Sequence, residues 1–182
     1  MSTRRKLIAS IPLLLAGSLS PHAPMRAQTR PARPSSETGA AAVAPPPLGT
    51  LLELPPTTLL DGRELPAAYW RNKVLVVEMW ASWCPFCQAQ NPHLDGLHRF
   101  NRAAGLEVLA LSIDKTADAA RNYMKQHGYQ FYAAMFDAAW QAALGRPRGL
   151  PVLWVIGRDS RLKQLEIGEL FPEDVDQLAD WV

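Results

Sequence analysis

The apolar and polar positions follow two different periods along the chain. Residues 73–80 read Lys-Val-Leu-Val-Val-Glu-Met-Trp, a run apolar at both parities except for Glu78. Such a run marks a strand covered on both faces of a sheet. Residues 106–113, Leu-Glu-Val-Leu-Ala-Leu-Ser-Ile, predict a second strand of this kind. Between them Phe86, Ala89, Leu94, Leu97 and Phe100 recur at helical spacing, predicting a helix to about residue 104 that Gly105 ends. Pro85 suits its first turn, where a missing N–H costs nothing. Pro92 falls inside the period and predicts a kink.

Further on, residues 116–127 predict a helix with Ala120, Tyr123, Met124 and His127 on one face and Gly128 as its stop. Residues 131–135 predict a short strand, 137–144 a short helix, and 150–156 a strand with Pro151 near its start. Gly157-Arg158-Asp159-Ser160 is a turn, and 161–167 returns antiparallel. Pro172 opens a last helix, with Glu173 and Asp174 in its first turn and Val175, Leu178, Ala179 and Val182 on its buried face. Ahead of all this, residues 51–54 predict a short strand stopped by Pro55-Pro56, Asp61-Gly62 a turn, and 66–70 a helical turn. The order β-α-β-α-β-α-β-β-α implies an α/β fold: parallel strands from the early alternation, an antiparallel edge from the late hairpin.

Composition adds the N-terminal organisation. Arg4-Arg5-Lys6 followed by the uncharged, mostly apolar stretch 7–19 has the layout of an export signal. The stretch is shorter than the ~20 residues of a membrane helix. Cleavage after Ala27 is expected, or retention as an N-terminal anchor; the twin arginine admits either the general or the folded-protein export route. No cysteine lies near the apolar stretch to take a lipid. Residues 28–50 are rich in Pro, Ala and Ser without an apolar period, which predicts a disordered linker, leaving 51–182 as one domain. Net charge is +2, but four of the 19 basic residues lie in the first 27 positions with no acid among them. The remainder is slightly acidic, which gives no electrostatic case for nucleic acid.

The candidate chemistry is Trp83-Cys84-Pro85-Phe86-Cys87, which holds both cysteines of the chain. A C-x-x-C pair where a strand meets a helix can close a disulfide across one turn. It can also present one sulfur to the unpaired N–H groups and dipole of a helix N-terminus, where a thiolate is favoured. Haem attachment would require a histidine at Gln88, and a structural zinc site requires four ligands. His93 and His98 read as surface or helix-packing residues, and Asp114-Lys115 as solvated charge at a helix start.

The residues 73–87, with Pro92 five positions after the second cysteine, the 106–114 strand and Gly149-Leu150-Pro151-Val152, resemble the thioredoxin superfamily. Within it they are similar to the exported TlpA/ResA/DsbE-like thiol–disulfide oxidoreductases, over about residues 51–182. The resemblance implies a thioredoxin-like fold, with a central mixed sheet flanked by helices, a strand–helix insertion before the Pro151 strand and an N-terminal strand extension. It implies a Cys84–Cys87 disulfide, with Cys84 as the exposed attacking thiolate and Cys87 as the buried resolving thiol. Pro151 would be a cis-proline opposite the disulfide, with Leu150 offering backbone groups to a bound peptide. Trp80 and Trp83 would flank the site, with Pro85 and Phe86 between the cysteines also meeting substrate.

Three positions depart from the relatives. Glu78 stands where thioredoxin has a buried aspartate; a carboxylate there has a raised pKa and can accept the proton of Cys87. The alternative is that this longer acid reaches a polar neighbour or water. Gln90 stands where ResA-like members carry a glutamate, and Ala110 where thioredoxin has a lysine. The expected function is disulfide exchange with exported proteins, in the reducing direction, by a periplasmic monomer. It would use no cofactor or metal and would work with a membrane or periplasmic redox partner. A copper chaperone, which would want C-x-x-x-C and a distant histidine, or a non-catalytic binding module on the same fold, is the other reading.

Overall fold

The computed structural model describes residues 42–182. The expected signal and the linker as far as residue 41 lie outside them. The domain is built on β3 (Val74–Trp80), whose seven residues are all buried. It pairs in parallel with β4 (Leu106–Ser112), from Val74↔Leu106 to Trp80↔Ser112. On its other side it pairs antiparallel with β6 (Val152–Ile156), through Met79↔Val152. β5 (Tyr132–Met135) extends the β4 side in parallel and β7 (Leu162–Ile167) closes the β6 side, giving the order β5-β4-β3-β6-β7. This is the expected thioredoxin-like mixed sheet, including the inserted strand–helix unit, β5 and α3 (Ala138–Leu144).

Alternation along β3 divides the core. Val74, Val76 and Trp80 pack with Leu94 and Leu97 of α1 (Pro85–Asn101) and Ala120 of α2 (Ala117–His127). Val175 of α4 (Pro172–Gln177) and Leu178 join the same cluster. Leu75, Val77 and Met79 face the other way, onto Trp70 and onto Trp140 and Leu144 of α3. Each such buried side chain contributes about 1.5–3 kcal/mol. By parity Glu78 falls on the α1 face.

Several elements depart from the pattern. Residues 51–54 form no strand: Leu51 makes one isolated bridge to Arg161, and the Leu52 N–H goes to the Ser160 carbonyl at 2.8 Å. Pro55 and Pro56 then lack the N–H a ladder needs. The N-terminal strands are instead β1 (Thr57–Thr58) and β2 (Glu64–Leu65), a small antiparallel pair. Residues 42–50, expected as linker, are bound to the domain. Val43 and Arg146 exchange backbone bonds of 2.9 and 2.8 Å, and the Gly49 N–H reaches Leu162 at 2.7 Å. Gly145, at φ 72°, permits this approach, because a Cβ there would collide with the Ala44 carbonyl.

α1 also turns a different face inward. Phe86 and Phe100 are exposed, while Cys87, Gln90, Asn91, Leu94, Asp95, Leu97 and His98 are buried. Asp95 and His98 meet partners from distant segments, whereas the Asn91 amide has none among the described residues. The Asp95 carboxylate accepts the Gln130 N–H at 2.6 Å, and His98 Nδ1 accepts the Val108 N–H at 3.2 Å. His127 and Val182, expected inward, are exposed, and Tyr123 and Met124 are half-buried.

Candidate active site

β3 delivers the chain to Ala81-Ser82-Trp83, and α1 begins at once beyond it. Cys84 is the N-cap residue of α1: its backbone is extended (φ −87°, ψ 111°) and its Sγ accepts the Cys87 N–H at 3.2 Å. A sulfur thus occupies the position where Ser or Asp ordinarily satisfies a free N–H at a helix start. Pro85 follows at the first helical position. The cysteines are joined as a disulfide, with Cα atoms 5.3 Å apart. Cys84 is 3% exposed and Cys87 0%. The expected exposed thiol is therefore corrected: Cys84 is tucked into the helix start, and only the relative order of exposure holds.

The surroundings of the pair sort the other candidates. Trp83 and Phe86 are exposed at 64% and 56%, and Pro85 is exposed too. Trp80 is not part of this surface. As an inward residue of a covered strand it is fully buried, its ring 5.1 Å from that of Tyr123, so its assignment to substrate contact is withdrawn. The Leu150–Pro151 bond is cis. Continuing the Met79↔Val152 register by one residue brings Pro151 level with Trp80, at the end of β3 that leads into the cysteines. Pro151 is buried, and its carbonyl accepts the Gly168 N–H at 2.9 Å. Neither backbone group of half-buried Leu150 has a hydrogen-bond partner among the described residues.

Glu78 is fully buried. Its Oε1 accepts a 3.1 Å bond from Gln90 Nε2, and its Oε2 has no partner among the described residues. Burial pushes its pKa well above the usual carboxylate value, and the Gln90 bond offsets this only in part. Gln90 lies three residues after Cys87 on the same helix face and also accepts the Leu170 N–H at 2.7 Å. The carboxyl is thereby tied to α1 one turn beyond Cys87. The neighbouring strand places Ala110 opposite it. The polar-neighbour reading of Glu78 is thus correct as to Gln90, and the carboxyl lies out of contact with bulk solvent.

The sequence assigns no role at the site to Asp114, Ser82, Ile167 or Phe171. Asp114 is 6% exposed, not solvated charge at a helix start. It accepts the Ser82 N–H at 3.0 Å, the Ser82 hydroxyl at 2.8 Å and the Ser112 hydroxyl at 2.7 Å. The partner Ser82 is far away in sequence, and a short-range reading finds no reason to join the two. Ile167 and Phe171, exposed at 58% and 71%, lie on the segment that the Gly168–Pro151 bond ties to the cis-proline.

The geometry has counterparts among known proteins. The family model described as Redoxin matches residues 49–180. The thiol-disulfide oxidoreductase ResA of Bacillus cereus is 25% identical over 119 residues, 65% of this chain and 69% of that protein. A thiol:disulfide interchange protein DsbE homolog of Paracoccus denitrificans is 30% identical over 102 residues, 56% of this chain and 54% of its own length. A thioredoxin-family thiol:disulfide interchange protein from Chlorobium tepidum superposes with a TM-score of 0.63 at 21% identity, covering 77% of this chain and 97% of that one.

Proposed function

The chain belongs to the Redoxin family and is a thiol–disulfide oxidoreductase, and from that premise we propose that Cys84 and Cys87 carry the exchange with Glu78 as their proton acceptor. The observation that carries this reading is the Cys84 sulfur at the α1 N-cap, accepting the Cys87 N–H, with a buried acid bonded to Gln90 one turn beyond Cys87 on the same helix. In the reducing direction the Cys84 thiolate attacks one sulfur of a substrate disulfide. A mixed disulfide forms and one substrate thiolate leaves. Glu78 takes the proton of Cys87, whose thiolate attacks the Cys84 sulfur. The second substrate thiolate leaves, the substrate holds two more electrons, and Cys84–Cys87 is again a disulfide.

Substrate is a protein segment meeting the exposed side chains of Trp83, Pro85 and Phe86 and the free backbone groups of Leu150 beside Pro151. Cys84→Ser and Cys87→Ser should each abolish turnover in an insulin-reduction assay. Cys87→Ser alone should accumulate mixed disulfides through Cys84. Retained turnover in either variant would remove the pair from the mechanism.

The place of action is an oxidising compartment outside the cytoplasm, where disulfides persist and protein partners supply or take electrons. The basic-then-apolar N-terminus supports this. Chain recovered from the native cell envelope should lack about 18–30 N-terminal residues by intact mass. A full-length mass in the cytosol would overturn the assignment.

A further inference from the structure

We propose that Asp114 is a positioning residue for Cys84, fixing the loop that aims its sulfur; this rests on Cys84 being the attacking thiol. Burying a carboxylate is costly unless hydrogen bonds replace its water. No Lys, Arg or His among the described residues forms an ion pair with Asp114. Its oxygens are instead held by Ser82 and Ser112. Two of these three bonds come from Ser82, one from its backbone and one from its side chain. The Ser82 carbonyl is held in turn by Gln88 Nε2 of α1, at 2.7 Å.

Ser82 is therefore fixed at its N–H, its hydroxyl and its carbonyl, two residues before the nucleophile. The flanking backbone closes around it. The Cys84 N–H reaches the Ala81 carbonyl at 3.1 Å, and the Ile113 N–H reaches the Trp80 carbonyl at 2.9 Å. The last residue of β3, the loop, and the first turn of α1 become one rigid piece, with Asp114, two residues past the end of β4, as the bolt. The Cys84 sulfur needs this rigidity, because its bond from the Cys87 N–H depends on a single N-cap geometry. Asp114 touches neither sulfur nor substrate in this arrangement; it acts through Ser82.

The test is the pH dependence of iodoacetamide labelling of the reduced full chain, with peptide mapping of the labelled cysteine. Asp114→Ala should slow labelling of Cys84 at neutral pH by about tenfold and move the labelling midpoint to higher pH. Losing a negative charge would by itself move the midpoint down, so a rise reports lost geometry. Asp114→Asn keeps an oxygen for the Ser82 N–H, and its amide can donate to the Ser82 hydroxyl, so it should label within about twofold of the parent. Ser82→Ala, which loses only the hydroxyl bond, should fall between them. Where Asp114→Ala does not fold, by circular dichroism, the slowed Ser82→Ala beside an unaffected Asp114→Asn carries the result. Parent-like labelling in both alanine variants, or Asp114→Asn as impaired as Asp114→Ala, would overturn the proposal. Labelling of Cys87 instead of Cys84 in the parent would overturn the assignment of the nucleophile itself, a different failure.

Discussion

Glu78 is the residue whose environment most constrains its chemistry. It lies in a covered strand with one oxygen on Gln90 and the other unpartnered, so burial raises its pKa above the ordinary 4.5. The consequence for stability has a definite sign. A carboxyl whose folded pKa is raised binds its proton more tightly folded than unfolded. Its stabilisation is fully present below the unfolded value and is lost as pH rises through the folded one. Glu78→Gln keeps an oxygen for Gln90 and cannot ionise. In the disulfide form it should be more stable than the parent at mildly alkaline pH, by about 1–3 kcal/mol, with the gap closing toward pH ~4.5. Thermal melts across pH measure this, and a gap independent of pH would mean Glu78 does not titrate as argued. The same variant should slow the resolving step about a hundredfold near neutral pH and recover at alkaline pH, where Cys87 ionises unaided. An unchanged pH–rate profile would remove Glu78 from the chemistry.

At the scale of elements, what was legible in the sequence is what is decided locally. β3 and β4 are covered on both faces, so their apolar runs announce them without knowledge of the partner. The C-x-x-C pair and the proline opening β6 were legible because so few conformations accommodate them. α1 was legible as a helix but not in its orientation. Its buried stripe carries Gln90, Asn91, Asp95 and His98 while Phe86 and Phe100 face out. That inversion depends on Glu78, Gln130 and Val108, which only the fold brings to the helix. Trp80 and Trp83 show the same limit from the other side. Equal in type and three residues apart, they part company because one is an inward residue of a covered strand and the other lies past its end. Residues 42–50 look like linker because they have no period of their own; their bonds go to Arg146 and Leu162, far along the chain.

For the molecule as a whole the open quantity is the redox poise, which the sheet topology and the charge around one sulfur together determine. The ends of β3 and β6 bring the disulfide and the cis-proline to one side of the domain, and the helix start of α1 supplies the stabilising field for a Cys84 thiolate. A stronger thiolate makes a stronger oxidant, because it stabilises the reduced form. Strong oxidants sit at about −120 mV and thioredoxin at about −270 mV, a gap of roughly 7 kcal/mol at ~30 mV per ~1.4 kcal/mol. A helix terminus contributes ~0.3–1 kcal/mol, and up to ~2 when partly buried. One hydrogen bond from the Cys87 N–H to a charged sulfur adds about 1.5–3 kcal/mol at most. No basic residue lies within Trp83-Cys84-Pro85-Phe86-Cys87, and the charged group bound to the preceding loop is Asp114, an anion that disfavours a second negative charge nearby. The favourable contributions together fall short of the gap and the anion subtracts from them. The potential should therefore fall short of the oxidant end of this range, in keeping with the reducing direction proposed above. Equilibration with glutathione or dithiothreitol, read by the fluorescence of Trp80 and Trp83, measures it. A potential at the oxidant end, together with a Cys84 pKa far below neutral, would reverse the direction of electron flow proposed here.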